Sequence, residues 1–176
     1  MSENCKMFEI GDLIIYGSNG VCKILDCGKL DSSCAAKDKV YYTIEPYYTS
    51  GTKIYTPVDN DKVIMRPVMT KDEAMELIDE IEKIECLWIT DEKRRENEYK
   101  DTVKKCDCKE LVKIIKTIYL RKQSRLAEGK KITASDEKYF RIAEESLYGE
   151  LAVSLDMTKD ETKEFIINRV SNNSGE

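Results

Sequence analysis

The 176-residue chain contains no histidine. That absence removes the commonest general base near neutral pH and the commonest imidazole metal ligand. No Walker A or G-x-G-x-x-G phosphate loop occurs either. Seven cysteines are present, but the closest spacings are Cys106-Asp107-Cys108 and Cys22 to Cys27, and neither is the C-x2-C that lets two thiolates share a tetrahedral zinc. An odd number of cysteines, without the tight spacing of a secreted scaffold, fits free thiols in a reducing compartment. No cysteine has an adjacent base to activate it, so small buried side chains are the simpler reading. Neither an enzyme, a metal centre nor a cofactor is expected. No run of about 18 apolar residues exists and the start MSENCKMFEI has no apolar leader, so no membrane partner is expected and the localisation read is cytoplasmic.

What is present divides in two. Apolar residues make up 41% and charged residues 36%, enough for a core under a highly charged surface. Residues 8–68 carry β-rich runs at FEI (8–10), LIIY (13–16), VCKIL (21–25), VYYTI (40–44) and KIYTPV (53–58), with Gly-containing turns at 17–20 and 48–51. Five short strands in so little chain predict a small antiparallel barrel with an edge strand able to pair with a partner. Asp26 to Lys39 reads as a mobile hairpin loop. The pattern changes at Pro67. Thr70 to Glu73 has the form of a capping box, followed by an apolar stripe at Ala74, Leu77, Ile78, Ile81 and Ile84. Thr158 to Glu161 repeats the box and Thr133 to Asp136 gives a weaker version. Tyr99 and Val103 mark one further helix, and Leu111, Ile114, Ile115 and Ile118 mark another opened by Asp107. The fold class is therefore α+β in two domains, a five-stranded barrel over 1–68 and an α-helical bundle over 69–176.

The net charge of −5 argues against nucleic acid, but its distribution does not. Residues 71–92 hold two basic and nine acidic side chains, residues 93–131 fourteen and six, and residues 132–164 four and nine. A basic segment between acidic ones can leave an electrostatic footprint on an acidic protein, or it can simply be solvated helix faces. Its cations include Lys93, Arg94, Arg95, Lys100, Lys104 and Lys105, then Arg121, Lys122, Arg125, Lys130 and Lys131. Some sit at a helix C-terminus, where the macrodipole favours cations in any case. The sole tryptophan, Trp88, stands just before the first cluster in "CLWITDEKRREN" and reads either as packed core or as a flat apolar wedge for a base step beside phosphate-neutralising cations.

The stretches "MFEIGDLIIYGSNGVCKILD", "YYTIEP", "KIYTPV" and "VIMRPVMTKDEAMELIDEI" resemble the RNA-polymerase-interacting domain of the CarD/CdnL family, also found in transcription-repair coupling factors. The matched features are Gly11-Asp12, the turn closing at Gly20, the strand ending in Pro57-Val58, and Arg66 before the capped helix. The run from Cys106 to Ala152 resembles the helical C-terminal domain of stand-alone CarD-type regulators. This resemblance implies a Tudor-like or SH3-like barrel pairing edge to edge with a lobe of the RNA polymerase β subunit, through Lys53, Ile54, Tyr55, Thr56 and Pro57. Tyr55 stands where some members carry arginine, and Lys29 on the neighbouring hairpin is the candidate replacement cation. It also implies that the helical domain contacts promoter DNA at the minor groove, near the upstream edge of the bubble, and stabilises the open complex without reading sequence; a monomer associated with the nucleoid is expected, though exposed edge strands can pair. The expected contacts are Trp88, Lys93, Arg94, Arg95, Lys100, Arg121, Lys122, Arg125, Lys130 and Lys131. Here the chain departs from the family, because five residues separate Trp88 from Arg94-Arg95, and the indole is either the wedge or packed between the domains. The competing reading is an adaptor that links polymerase to another protein without touching DNA. A thiol-based redox or metal sensor is a third.

Overall fold

The computed structural model describes residues 7–30 and 39–173. Two compact units divide the chain, Met1–Val68 and Met69–Glu176. The first is one antiparallel sheet of β1 (Leu13–Tyr16), β2 (Val21–Gly28), β3 (Tyr41–Pro46), β4 (Ile54–Pro57) and β5 (Met65–Pro67), in the order β4-β3-β2-β1-β5. Alternation dictates its core: Ile14, Cys22, Ile24, Tyr42 and Ile44 face one way and are fully buried, with Phe8 packed against them. Register shifts between Ile24 and Asp26, which leaves Leu25 as a bulge in β2.

Two strands differ from the sequence reading. Phe8 to Ile10 is not a strand: Phe8 is buried as a plug, its ring 6.2 Å from that of Tyr42 and its N–H donating to the Tyr42 hydroxyl at 3.1 Å. The fifth strand is instead β5, three residues paired to β1, whose brevity and terminal Pro67 hide it from a β-rich pattern. The loop expected over Asp26–Lys39 also begins late, since β2 runs on to Gly28 with Cys27 opposite Tyr42; residues 31–38 lie outside the described residues.

The second unit consists of α1 (Lys71–Glu80), α2 (Glu92–Lys104), α3 (Cys108–Ala127), α4 (Ala134–Leu155) and α5 (Lys159–Asn173). Local chemistry sets the starts. Thr70 accepts from the Glu73 N–H while Glu73 accepts from the Thr70 N–H, a full capping box, and Thr158 with Glu161 does the same for α5. Asp91, Asp107 and Thr133 cap α2, α3 and α4. α4 packs on all four other helices, burying Tyr139, Ala143, Leu147 and Leu151 against Ala74, Ile78, Tyr99, Leu111, Ile114 and Ile118. No helix among the described residues is long and apolar enough to cross a membrane.

Candidate functional site

In the first unit the feature with binding potential is the outer edge of β4. Val58 donates to the Val40 carbonyl at 3.0 Å, which fixes the phase of the ladder between β3 and β4. Residues 54, 56 and 58 therefore turn their backbone groups towards β3, while Tyr55 and Pro57 turn theirs outward. Tyr55 offers an N–H and a C=O at this edge; Pro57 offers only a C=O and ends the strand's capacity to donate. The Tyr55 ring is half exposed, whereas the Thr56 side chain is 2% exposed and faces the core. Of the residues expected at the polymerase contact, Thr56 thus contributes to the fold of the strand and not to its outer surface. Lys53 is exposed just before the strand. Lys29 is exposed just beyond Gly28, which aligns through Tyr41 with Pro57, so it lies two strand spacings, about 10 Å, from the edge at its Pro57 end.

In the second unit Trp88 is 82% exposed, so the indole is not core. It stands in an extended segment, residues 85–90, between a 3-10 turn at Ile81–Lys83 and α2. This segment and the turn before it are anchored at several points. Lys116 Nζ donates to the carbonyls of Ile81, Glu82 and Ile84, at 2.9, 3.1 and 2.6 Å. Thr117 Oγ1 accepts from the Leu87 N–H at 2.8 Å and itself donates to the Lys113 carbonyl. Arg95 Nη1 donates to the Ile89 carbonyl at 3.0 Å and the Thr90 carbonyl at 3.4 Å. Neighbours on both sides of Trp88 are therefore held by α2 and α3 while its ring projects into solvent.

Behind Arg95 lies a buried carboxylate. Asp136, 1% exposed in the first turn of α4, accepts from Arg121 Nε at 3.3 Å and Nη2 at 3.1 Å. Arg95 Nε lies 3.9 Å from its other oxygen, an ionic contact too long for a hydrogen bond. Tyr99, one turn along α2 from Arg95, is fully buried, and burial, then the Asp136 carboxylate, push its phenol up to about 12. α2, α3 and α4 thus meet at one Arg-Asp-Arg cluster.

The expected DNA-contacting residues are sorted by this arrangement. Arg95 is corrected: at 5% exposure its guanidinium is held inside the protein and does not present itself to a phosphate. Its neighbour Arg94 is exposed, and lines a shallow hollow with Trp88, Ile89, Thr90, Asp91 and Glu98. Trp88 also lines a groove of about 470 Å³ between the segment and α3, with Leu87, Leu120, Arg121 and Arg125 among its walls. Arg121 is part of the Asp136 cluster, and Arg125 donates to the Lys131 carbonyl at 2.7 Å. Lys130 pairs with Glu128. Lys93, Lys100, Lys122 and Lys131 are exposed along α2, α3 and the turn after α3. The structure brings Trp88, Arg94, Arg121 and Arg125 to one place; it does not assign Lys100 to that place.

Sequence reasoning missed Lys116, Thr117 and Asp136. Thr117 carried a signal: it falls on the buried face of α3 with Ile114 and Ile118, and a polar group at such a position must have a partner. Among the described residues no three His, Cys, Asp or Glu side chains come together to hold a metal, and Cys22, Cys27, Cys86, Cys106 and Cys108 form no disulfide.

A small sheet with a free backbone edge, joined to a helical unit that displays an anchored aromatic among arginines, is the layout of an interaction protein. Residues 8–69 match the CarD-like/TRCF RID domain, a match confined to the first unit that supports RNA polymerase interaction and a transcription-related role for it. No curated protein matches the chain. Because the match ends at residue 69, what the helical unit does must be argued from its own side chains.

Proposed function

We propose that the chain is a regulator that docks on the β-subunit lobe of RNA polymerase through the outer edge of β4 and contacts promoter DNA, near the upstream edge of the transcription bubble, through the Trp88 face of its helical unit. The observation that carries the reading is the exposed indole held by anchored neighbours, which lines one hollow with Arg94 and another with Arg125. Cations there neutralise phosphates without reading sequence, and an apolar ring wedged at a base step favours DNA that is already unstacked. A ligand shifts an equilibrium only by its differential affinity, so a protein that binds the melted junction better than closed duplex stabilises the open complex. Polymerase supplies most of the recruitment, and naked duplex is bound weakly. The protein acts as a monomer at the nucleoid.

The test is the lifetime of open complexes formed by purified polymerase, with and without the protein. Trp88→Ala should shorten the protein-dependent part roughly five- to hundredfold, as expected when about 1–3 kcal/mol of stacking is lost. A lifetime indifferent to Trp88, with polymerase binding intact, would instead leave the helical unit as the docking half of an adaptor.

A further inference from the structure

We infer that Arg95 is a positioning residue for Trp88: without touching DNA, it fixes the segment that carries the indole and ties that segment through Asp136 to the core of the helical unit. The inference rests on the proposed role of Trp88 but has its own readout. Three observations combine to carry it. The segment from 85 to 90 has no regular backbone ladder, so its conformation depends on side chains reaching in from elsewhere. Those side chains are few and well placed: Thr117 holds Leu87, the residue before Trp88, and Arg95 holds Ile89 and Thr90, the two after it. Arg95 is itself oriented by burial and by Asp136, which Arg121 locks in place from α3.

The geometry also explains why arginine is needed. A guanidinium presents several donors in a rigid planar fork, so one side chain serves two successive carbonyls through Nη1 while its Nε faces the carboxylate. Lysine carries one compact ammonium: it can donate to neighbouring carbonyls, as Lys116 does, but has no second nitrogen to face the carboxylate at the same time. The charge gap between Arg94 and Arg95 then has a simple meaning: one is for the ligand, the other for the loop.

The sole tryptophan reports on its own segment. In the full-length protein, time-resolved fluorescence anisotropy of Trp88 should show little fast segmental motion in the wild type and a clear rise in its amplitude in Arg95→Met. Arg95→Lys should restore only part of the order. Thr117→Val, a near-isosteric change that releases the Leu87 N–H, provides a second route should Arg95→Met fold poorly. Binding to a duplex containing a mismatched bubble should weaken in Arg95→Met within the same five- to hundredfold range as Trp88→Ala, and the double variant should be no worse than Trp88→Ala alone, since the two changes act through one ring. Unchanged Trp88 motion in folded Arg95→Met and Thr117→Val would overturn the inference. So would a double variant whose losses simply add, because Arg95 would then contribute to binding by some route other than the indole. If Trp88→Ala itself leaves bubble binding intact, the DNA reading fails, and the anisotropy alone decides whether Arg95 orders the segment.

Discussion

Asp136→Ala is the perturbation whose size the structure defines best. The carboxylate is 1% exposed and faces two guanidiniums, Arg121 with its side chain 25% exposed and Arg95 with its side chain 7% exposed. Without Asp136, Arg121 is near enough to the surface to turn outward. Arg95 is not, and a charge left buried without its partner costs about 3–5 kcal/mol. Against a typical stability of about 5–15 kcal/mol this is a large fraction. For a helical unit of this size, with about 4–8 °C per kcal/mol, the melting point should fall by roughly 12–40 °C. α1 to α5 all lie in this unit, so far-UV circular dichroism during thermal or urea unfolding reads it directly. Arg94→Ala, exposed and one residue away from Arg95, should change stability by no more than about 0.5 kcal/mol. Replacing both charges, as Asp136→Leu with Arg95→Met, should recover most of the loss, because a buried ion pair exchanged for apolar groups is often neutral. A loss below about 1 kcal/mol for Asp136→Ala, or no recovery in the double variant, would refute the argument that Asp136 is the counter-charge for a buried Arg95.

The β4 edge gives a sharper test of partner binding: Tyr55→Pro removes an N–H that points away from β3, so it should abolish binding to the polymerase β lobe in a pull-down while leaving the melting curve nearly unchanged. Thr56→Pro removes an inward N–H and should unfold the sheet. Gly17→Ala should destabilise the first unit by about 1–2 kcal/mol or more, since Gly17 sits at φ +47 and an added Cβ would lie 2.6 Å from Val63 Cγ1; urea unfolding of the β signal measures it. Burial pushes the Cys22 thiol up to about 11, so alkylation mapped by peptide mass at neutral pH should modify Cys27 and Cys86 well before Cys22. In α5, the Thr158 backbone N–H holds the exposed Glu161 carboxyl below the usual 4.5, and a lowered carboxylate pKa supports folding above that value and ceases to as pH falls through the folded one. Hydrogen exchange should therefore show α5 loosening below about pH 4.5, and less pH dependence there in Glu161→Gln.

How much of this was legible follows from how local each signal is. Helix starts were readable because a capping box is a four-residue device whose partners are its own neighbours, as at Thr70 with Glu73. The central strands were readable because LIIY and YYTI are β-branched and aromatic, and they do form the middle of the sheet. FEI failed because burial and strand pairing are separate facts: Phe8 is buried by the Tyr42 ring, without a ladder. β5 failed because three residues ending in proline carry no periodicity. The pair Arg94-Arg95 looks uniform as composition but not as geometry. Arg95, Tyr99 and Thr102 are spaced i, i+4, i+7 and all are buried, so the inward face of α2 begins at Arg95. Helical phase could have separated the two arginines. The identity of Arg95's partner is not legible in the sequence, since Asp136 lies 41 residues away and its backbone already has a local role in the Thr133 helix cap.

On the proposed function, the anchoring bears on how a single exposed indole would bias promoter melting. A wedge on a freely moving loop loses conformational entropy each time it inserts, at about 0.5–1.5 kcal/mol for each side chain immobilised and more for backbone. Around Trp88 the backbone is already held by Thr117 and Arg95 in the free protein, so that ordering is completed during folding. Only the indole's own rotamer freedom remains to be lost, because the ring touches little else. If the indole stacks on DNA as proposed, more of the stacking energy would then be available as a difference between melted and closed DNA. The departure in spacing before Arg94-Arg95 is consistent with this. Asp91 caps α2 through the Arg94 N–H, the helix starts at Glu92, and Arg95 reaches back to the carbonyls of residues 89 and 90, so residues 89–91 form the tether that sets Trp88 apart from the helix while keeping it fixed, and Glu92 and Lys93 add the first turn before Arg94.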